Sequence, residues 1–227
     1  MCSSDLGTPL PTRRWINSES TATRGGWAAW QKGSRQRTRS RATIVAEKGH
    51  CLIPRSEKPV VISSEGGHAT LAATCEREDR IIGQLRQRFG HVSAERAVSG
   101  MGLENIYQAI AALDGVDIPS RSAAEITKSA LRSESQVARE ALHVFCAFLG
   151  SFAGNVALTF GARGGVYVAG GISPRILDFL VRSQFRNRFE AKGRLQSYLE
   201  TLPSYVITHP AAAFVGLKSL ADCCSNY

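Results

Sequence analysis

The chain lacks most of the features that mark secreted, metal-binding or membrane proteins. Its six cysteines show no metal-ligand spacing, since Cys223 and Cys224 are adjacent and the others stand singly. Such cysteines are typical of buried or incidental thiols in a reducing cytosol. No run of about twenty apolar residues is evident, and the first residues lack the charged and apolar regions of a signal peptide. We therefore expect a cytoplasmic protein with no metal centre and no membrane partner.

Tryptophan is absent after residue 30, and most of the net charge of +9 lies at the same end of the chain. Residues 1–50 contain nine Lys or Arg against three Asp or Glu, whereas residues 51–227 contain nineteen against sixteen. A basic arm with Trp15, Trp27 and Trp30 could bind nucleic acid, or it could be a disordered tail. Residues 1–56 show neither helical nor strand periodicity. We favour a third interpretation, coding sequence read in the wrong frame. We expect that residues 1–56 do not form a packed unit against the rest of the chain, and we expect no nucleic-acid partner.

Residues 57–222 alternate strand-like and helix-like segments, which predicts an α/β layered domain followed by a short tail, 223–227. About five strands are predicted, at Pro59–Ser63, Ala69–Ala73, Glu95–Ser99, Gly165–Ala169 and Ser204–Thr208. Helices are predicted at Glu76–Phe89, Leu103–Leu113, Ser122–Leu131, Ser135–Phe160, Arg182–Lys192 and Ala211–Ala221. Of these, Arg182–Lys192 is expected to be a basic surface helix. The expected sheet is mixed and flanked by helices.

The stretch with the clearest chemistry is Glu65-Gly-Gly-His68, placed directly after a predicted strand. Carboxylates accept hydrogen bonds from hydroxyls, and an imidazole can both donate and accept. The two glycines allow close approach of the backbone and a positive φ. A second carboxylate follows at Glu95, at the start of another predicted strand. That strand could lie beside Glu65 and His68 in the same sheet, so we expect the three side chains to meet in one pocket. Together these groups suit a polyhydroxylated ligand such as a sugar, although a solvated glycine turn is an equally simple interpretation of the stretch alone.

A second candidate site follows the predicted strand Gly165–Ala169, where Gly170 and Gly171 precede a helix that starts near Pro174. A strand, paired glycines and a helix allow the backbone to approach a nucleotide at the carboxyl end of a strand. Taken alone, paired glycines more often form a simple turn.

Four blocks of the chain resemble, in order and spacing, the bacterial glucokinases of the proteobacterial type. They are Ser64-Glu-Gly-Gly-His-Ala-Thr70, Gly90-His-Val-Ser-Ala-Glu-Arg96, Ser99-Gly-Met-Gly-Leu103 and Gly164-Gly-Val-Tyr-Val-Ala-Gly-Gly-Ile-Ser-Pro-Arg175. The resemblance extends from about Val60 to Ala221. It implies a C-terminal fragment with the large lobe of the hexokinase and actin-like ATPase fold, which is ribonuclease H-like.

The resemblance implies transfer of the γ-phosphoryl group of ATP to the 6-hydroxyl of glucose, with Mg²⁺ bridging the phosphates. It implies that Glu65, His68 and Glu95 bind the sugar. It further implies that Gly100, Gly170 and Gly171 approach the nucleotide, and that the intact protein is a homodimer.

The chain departs from the family pattern upstream of this lobe. The family's catalytic base is an aspartate in an Asn-Asp pair, and its phosphate loop reads Gly-Thr-Gly-Leu-Gly; neither occurs in this sequence. We therefore expect an inactive fragment with no catalytic residue of its own. The alternatives are a sugar-sensing regulator and a non-catalytic sugar-binding protein, although no helix-turn-helix pattern precedes the lobe to support a DNA-binding regulator.

Overall fold

A computed structural model describes residues 15–17, 41–45, 48–53 and 60–209, together with residues 211 and 214. The strands are β1 (Trp15–Asn17), β2 (Arg41–Val45), β3 (Lys48–Ile53), β4 (Val60–Ser63), β5 (Val166–Ala169) and β6 (Ser204–Val206). The helices are α1 (Glu76–Phe89), α2 (Gly100–Asp114), α3 (Ala123–Leu131), α4 (Gln136–Thr159), α5 (Leu177–Arg182), α6 (Phe185–Glu190) and α7 (Gln196–Glu200).

The strands form one mixed sheet in the order β1-β6-β5-β2-β3-β4. Strands β1, β6, β5 and β2 pair in parallel, whereas β3 and β4 are added by antiparallel pairing. On β5 the side chains of Val166 and Val168 are buried and those of Tyr167 and Ala169 are half-buried, so one face of the strand turns towards the core. The mixed α/β fold is as predicted, but six strands occur among the described residues rather than about five.

Helix α4 forms the centre of the lobe and packs against α2, α3 and α6. Its N-terminus is capped by Ser135, whose hydroxyl accepts a hydrogen bond from the Ala138 amide at 3.2 Å. The apolar stripe predicted for this helix is buried throughout, at Ala138, Leu142, Phe145, Leu149 and Phe152. Other sides of the helix are buried as well, which makes α4 a core helix rather than a half-exposed amphipathic one.

Two glycines allow α6 to lie directly on α4. A Cβ added at Gly150 would overlap the carbonyl oxygen of Phe185, and one added at Gly154 would lie 2.5 Å from that of Phe189. Real Cβ atoms do not approach other atoms this closely. The spacing of the two glycines, one helical turn apart, therefore lets the backbone of α6 contact the backbone of α4.

Helices α1, α3 and α4 begin and end almost where the sequence predicts. Helix α1 spans the predicted Glu76–Phe89, and α3 begins with the predicted capping box. In that box the Ser122 hydroxyl accepts from the Glu125 amide at 3.4 Å, and the Glu125 carboxylate accepts from the Ser122 amide at 2.8 Å. These local signals are sufficient because caps and helical periodicity depend on neighbouring residues alone.

Two predicted strands, Ala69–Ala73 and Glu95–Ser99, are wrong. The first forms only an isolated bridge from Thr70 to Ser93, and the second is replaced by a 3₁₀ turn, Ala94–Arg96. The hydroxyl of Ser99 donates to the Glu95 carbonyl at 2.8 Å and accepts from the Gly102 amide at 2.9 Å. Ser99 thus satisfies backbone groups locally and turns the chain into α2, so no strand continues here.

The predicted surface helix Arg182–Lys192 is also wrong. Helix α5 ends at Arg182 and the separate helix α6 covers Phe185–Glu190. Phe185 and Phe189 are fully buried, because α6 lies on the glycines of α4. The basic residues between them, Arg186 and Arg188, form hydrogen bonds at the edge of the core. The segment was predicted to be a surface helix because its many charged residues obscure the apolar pattern of its buried face.

The expectation that residues 1–56 do not pack against the rest of the chain differs from the structure at β1, β2 and β3, which lie in one sheet with β4, β5 and β6. Strand β2 pairs with β5 on one side and β3 on the other, and β1 pairs with β6. Pairing with distant strands is not visible in local periodicity. The frameshift interpretation and the domain boundary at residue 56 remain predictions. Most of the predicted helix Ala211–Ala221, the tail 223–227, Trp27 and Trp30 lie outside the described residues.

Helix α4 is long and apolar enough to span a membrane, with a mean hydropathy of 1.6 over an 18-residue window. However, 78% of that window is buried inside the lobe, so the helix serves as a protein core. Its thiol, Cys146, is fully buried, and burial raises the pKa of Cys146 to about 12. Burial likewise raises the pKa of Cys51. Such thiols are inert at neutral pH, as predicted for core cysteines.

The pairing of β2 predicts slow amide hydrogen exchange for Arg41–Val45, because this strand is hydrogen-bonded on both sides. We expect the amides of Val60–Ser63 to exchange faster, since β4 lies at the edge of the sheet. Exchange followed by mass spectrometry of peptic fragments tests this order. Rapid exchange of Arg41–Val45 in the folded protein would instead support the original expectation that this segment does not pack.

Close packing of α4 against α6 predicts that Gly150→Ala lowers the free energy of unfolding by about 1–3 kcal/mol, the usual cost of overpacking a core. The matched control is Gly83→Ala in α1, where an added Cβ has no neighbour within 4 Å in the part of the chain that the structure describes. That substitution should raise the free energy of unfolding by about 0.5–1 kcal/mol. Urea denaturation measures both. Equal effects of the two substitutions would contradict the proposed backbone contact.

Candidate functional site

The predicted hook Glu65-Gly-Gly-His68 follows the edge strand β4 and forms a single 3₁₀ turn, Gly66–His68. The turn is closed by the amide of His68, which donates to the carbonyl of Glu65 at 2.9 Å. At its start, the Gly66 amide donates to the Ser64 hydroxyl at 3.2 Å. Gly67 is buried beneath the turn. Neither glycine of the hook has a positive φ, so the turn does not use that conformational freedom.

Glu95 comes from a second segment that lies beside the hook. The Leu71 amide donates to the Val92 carbonyl at 2.9 Å, and the Ala94 amide donates to the Ala69 carbonyl at 3.0 Å. These two bonds, around the bridge of Thr70 with Ser93, align the two segments. The turn that carries Glu95 is thereby placed next to the turn that carries His68.

The three predicted sugar-binding side chains meet at one place, with the imidazole between the carboxylates. Nδ1 of His68 lies 3.2 Å from Oε2 of Glu95, and Nε2 lies 3.8 Å from Oε2 of Glu65. The side chains of Glu65 and His68 are 62% and 61% exposed, whereas that of Glu95 is 33% exposed. The cluster therefore opens to solvent on the hook side and is partly shielded on the Glu95 side.

This geometry gives the cluster an asymmetric hydrogen-bonding capacity. In the neutral tautomer whose Nδ1–H donates to Glu95, Nε2 remains an acceptor on the open side. Glu65 and the second oxygen of Glu95 are also acceptors. A ligand with several adjacent hydroxyl groups can donate to all three residues at once. The arrangement therefore offers hydrogen bonds to a hydroxyl-rich ring rather than apolar surface.

The predicted nucleotide residues lie on two different elements. Gly100 is the first residue of α2, five residues after Glu95, and an added Cβ would lie 4.0 Å from that of Ala123. Gly170 and Gly171 follow the carboxyl end of β5. Gly170 has a φ of 134°, and an added Cβ at either glycine has no neighbour within 4 Å among the described residues. The nucleotide role of the pair stays a prediction.

Metal ligands do not cluster in this part of the protein. Among the described residues, no group of three or more His, Cys, Asp or Glu side chains could hold a metal ion.

The sequence did not reveal the residues that support the cluster from behind. Ser99 and Asn105 bond the backbone of the Glu95 turn, and Gly102 allows α2 to lie against the backbone of Ala97. Ser99 could have been recognised as a helix cap, because Ser followed by a helix is the usual N-cap pattern. Asn105 carries no such local signal, since its partner lies on another element.

Known proteins match most of this chain. A family model described as glucokinase matches residues 27–223. The glucokinase of Paramagnetospirillum magneticum is 52% identical over 170 residues, which are 74% of this chain and 53% of that protein. The glucokinase of Chromobacterium violaceum is 46% identical over 172 residues, which are 75% of this chain and 49% of that protein. The chain thus spans about half the length of these relatives.

Solved structures agree in fold. The glucokinase from an Antarctic psychrotroph superposes with a TM-score of 0.74 at 33% sequence identity, covering 85% of this chain and 59% of that one. The glucokinase of Balamuthia mandrillaris, solved in complex with glucose, superposes with a TM-score of 0.66 at 20% identity, covering 81% of this chain and 54% of that one. The second likeness concerns the fold alone. By the family match and these relatives, the chain belongs to the glucokinase family.

Proposed function

We propose that this chain is the large, sugar-binding lobe of a glucokinase, an enzyme that phosphorylates glucose with ATP. The observation that carries the proposal is the position of His68 between Glu65 and Glu95, 3.8 Å and 3.2 Å from their carboxylate oxygens. Membership of the glucokinase family supports a sugar as the ligand of this cluster, because the glucokinases have a polyhydroxylated substrate. Glu65, His68 and Glu95 are the proposed glucose-binding residues.

The cluster holds glucose through charged and neutral acceptors on two sides of one ring. Glu95 is held by His68 and partly shielded, so it keeps a fixed position when the ring enters. Glu65 is more exposed and can accept from a second hydroxyl on the open side of the cluster. Hydrogen bonds with a charged partner contribute roughly 1.5–3 kcal/mol each, so a few of them orient a ring that offers little apolar surface. Orientation of the 6-hydroxyl is the contribution that we assign to this lobe.

The proposed nucleotide groups are the backbone at Gly100, Gly170 and Gly171, and the proposed cofactors are ATP and Mg²⁺. When bound, these supply the transferable phosphoryl group and neutralise its charge. The open backbone after β5 supports this role, because a side chain there would keep the phosphates away. A homodimer in the cytoplasm, with glucose and no nucleic acid or membrane as partner, completes the proposal.

The chain lacks an Asn-Asp pair and a Gly-Thr-Gly-Leu-Gly loop anywhere in its sequence. The remaining carboxylates of the cluster are poor substitutes for a base, because their proposed role is to hold other hydroxyls. The observation that favours the second candidate function, a sugar-binding protein without catalysis, is this missing proton acceptor. Binding and turnover must therefore be tested separately.

The proposed sugar-binding cluster predicts that Glu95→Gln weakens glucose binding by the 227-residue chain roughly tenfold, because one charged hydrogen-bond acceptor is lost. Glu65→Gln should act in the same direction. The control is Glu134→Gln, an exposed carboxylate 3.6 Å from Arg132 and outside the cluster. Isothermal titration with glucose measures all three dissociation constants. Unchanged affinity in both cluster variants would contradict the sugar-site assignment.

The missing proton acceptor predicts that the purified chain shows no measurable phosphorylation of glucose. Loss of a positioned base alone typically lowers the rate by about 10²–10⁴, and loss of the phosphate loop lowers it further. A coupled assay for glucose 6-phosphate measures the turnover, on the same preparation used for titration. Ordinary kinase turnover would refute the prediction of an inactive lobe, whereas binding without turnover would support the non-catalytic alternative for this polypeptide.

A further inference from the structure

The 3₁₀ turn that carries Glu95 is held from behind by helix α2. Ser99, the cap of α2, donates to the carbonyl of Glu95 at 2.8 Å. Asn105, in the second turn of the same helix, donates from Nδ2 to the carbonyl of Arg96 at 3.0 Å. Two consecutive backbone carbonyls of the turn are therefore bonded to one helix. The placement of the Glu95 side chain follows the placement of α2.

The side chain of Asn105 is itself oriented by a second partner. It is 7% exposed, and its Oδ1 accepts from Nη1 of Arg88 at 3.2 Å. Only one orientation of the amide satisfies both contacts, because its NH₂ group must face a carbonyl and its oxygen must face a guanidinium. Arg88 lies over the ring of Phe89, with 4.8 Å from Cζ to the ring centroid. Asn105 thus connects α1 to the turn of Glu95.

Backbone contact makes this connection stiff. An added Cβ at Gly102 would overlap backbone atoms of Ala97, so α2 and the end of the turn lie in direct contact. Ala97 and Val98 both donate to the Ala94 carbonyl, at 3.1 Å and 2.7 Å. A side chain that pushes on the Arg96 carbonyl therefore moves the whole turn, because little space remains for a local adjustment.

We infer that Asn105 is a positioning residue that sets the Glu95 carboxylate against His68. By placing Glu95, it also sets the geometry of the sugar-binding cluster. Asn105 does not itself belong to the cluster, and its role in binding rests on the proposed function. Binding sites tolerate errors of about 0.5 Å in the placement of such groups. The 3.2 Å contact between Glu95 and His68 is the distance that Asn105 maintains.

The direct test is Asn105→Asp, which keeps the size of the side chain and an acceptor for Arg88. The carboxylate cannot donate to the Arg96 carbonyl, and it places a negative charge against that oxygen. We expect the turn to move and the glucose dissociation constant of the 227-residue chain to rise about tenfold, since the displaced Glu95 carboxylate loses one charged hydrogen bond to the sugar.

The matched control is Gln108→Ala. Gln108 lies one turn further along α2 and accepts from the same Nη1 of Arg88 at 3.0 Å, but none of its hydrogen bonds goes to the turn of Glu95. This variant should leave the dissociation constant unchanged. If both variants weaken binding equally, Arg88 rather than Asn105 sets the site and the inference is overturned.

A measurement without ligand separates this inference from the proposed function. The ring resonances of His68 in an NMR spectrum report its contact with Glu95, and they should shift in Asn105→Asp but not in Gln108→Ala. If they shift while the wild-type chain binds no glucose, the positioning role stands and the sugar function fails. If they do not shift, the inference is overturned even where glucose binds.

Should Asn105→Asp fail to fold, Ser99→Ala provides a second variant. It removes the donor to the Glu95 carbonyl and leaves the contact between Asn105 and Arg88 in place. We expect a shift of the same His68 resonances and a weaker affinity for glucose. Thermal unfolding of the variant should remain cooperative. Unchanged His68 resonances in the folded Ser99→Ala protein would contradict the idea that α2 positions this turn.

Discussion

Helix α4 carries apolar side chains on nearly all sides, and water is excluded from them only when other elements pack around the whole helix. Its buried residues extend from Ala138 to Ala157. Helices α2, α3 and α6 all pack against it. The approach of α6 requires the two glycines at 150 and 154, because any larger residue would meet its carbonyl oxygens. The positions of the remaining helices depend on this packing.

Charged groups at the rim of this core join helices that are distant in sequence. Glu78 is buried, and its carboxylate accepts from Arg188 at 2.7 Å and from both the amide and hydroxyl of Thr74 at 2.8 Å. A buried carboxylate is tolerated only when its oxygens have such partners. The ion pair of Glu78 with Arg188 connects α1 with α6. The bonds from Thr74 connect Glu78 to the segment that leaves the hook.

The site depends on turns rather than on strands. Had residues 95–99 continued as a strand, Glu95 would alternate with its neighbours across a sheet and its direction would follow the pleat. Instead the turn is bonded to α2 through Ser99 and Asn105. A helix is a rigid support for a binding group, whereas a free loop is not. The proposed sugar site therefore derives its order from a helix that contributes only Gly100 to the proposed ligand contacts.

The sequence alone determined the features that depend on nearby residues. The bounds of α1, the capping box of α3, the apolar stripe of α4 and the strand before Gly170 were all predictable, because periodicity and caps operate within a few residues. The candidate residues Glu65, His68 and Glu95 were likewise visible as residue types in recognisable blocks. Their meeting at one place was expected, but it was expected for a different reason, a shared sheet.

Only the tertiary structure decided the features that rest on distant partners. The pairing of β2 with β5 joins residues more than 120 positions apart, and no local pattern in a charged N-terminal segment indicates it. Burial of Phe185 and Phe189 depends on two glycines in another helix, so a basic composition suggested a surface helix instead. Glu95 is positioned by Asn105 through the backbone carbonyl of Arg96. Every residue type carries such a carbonyl, so the sequence does not indicate which residue accepts this bond.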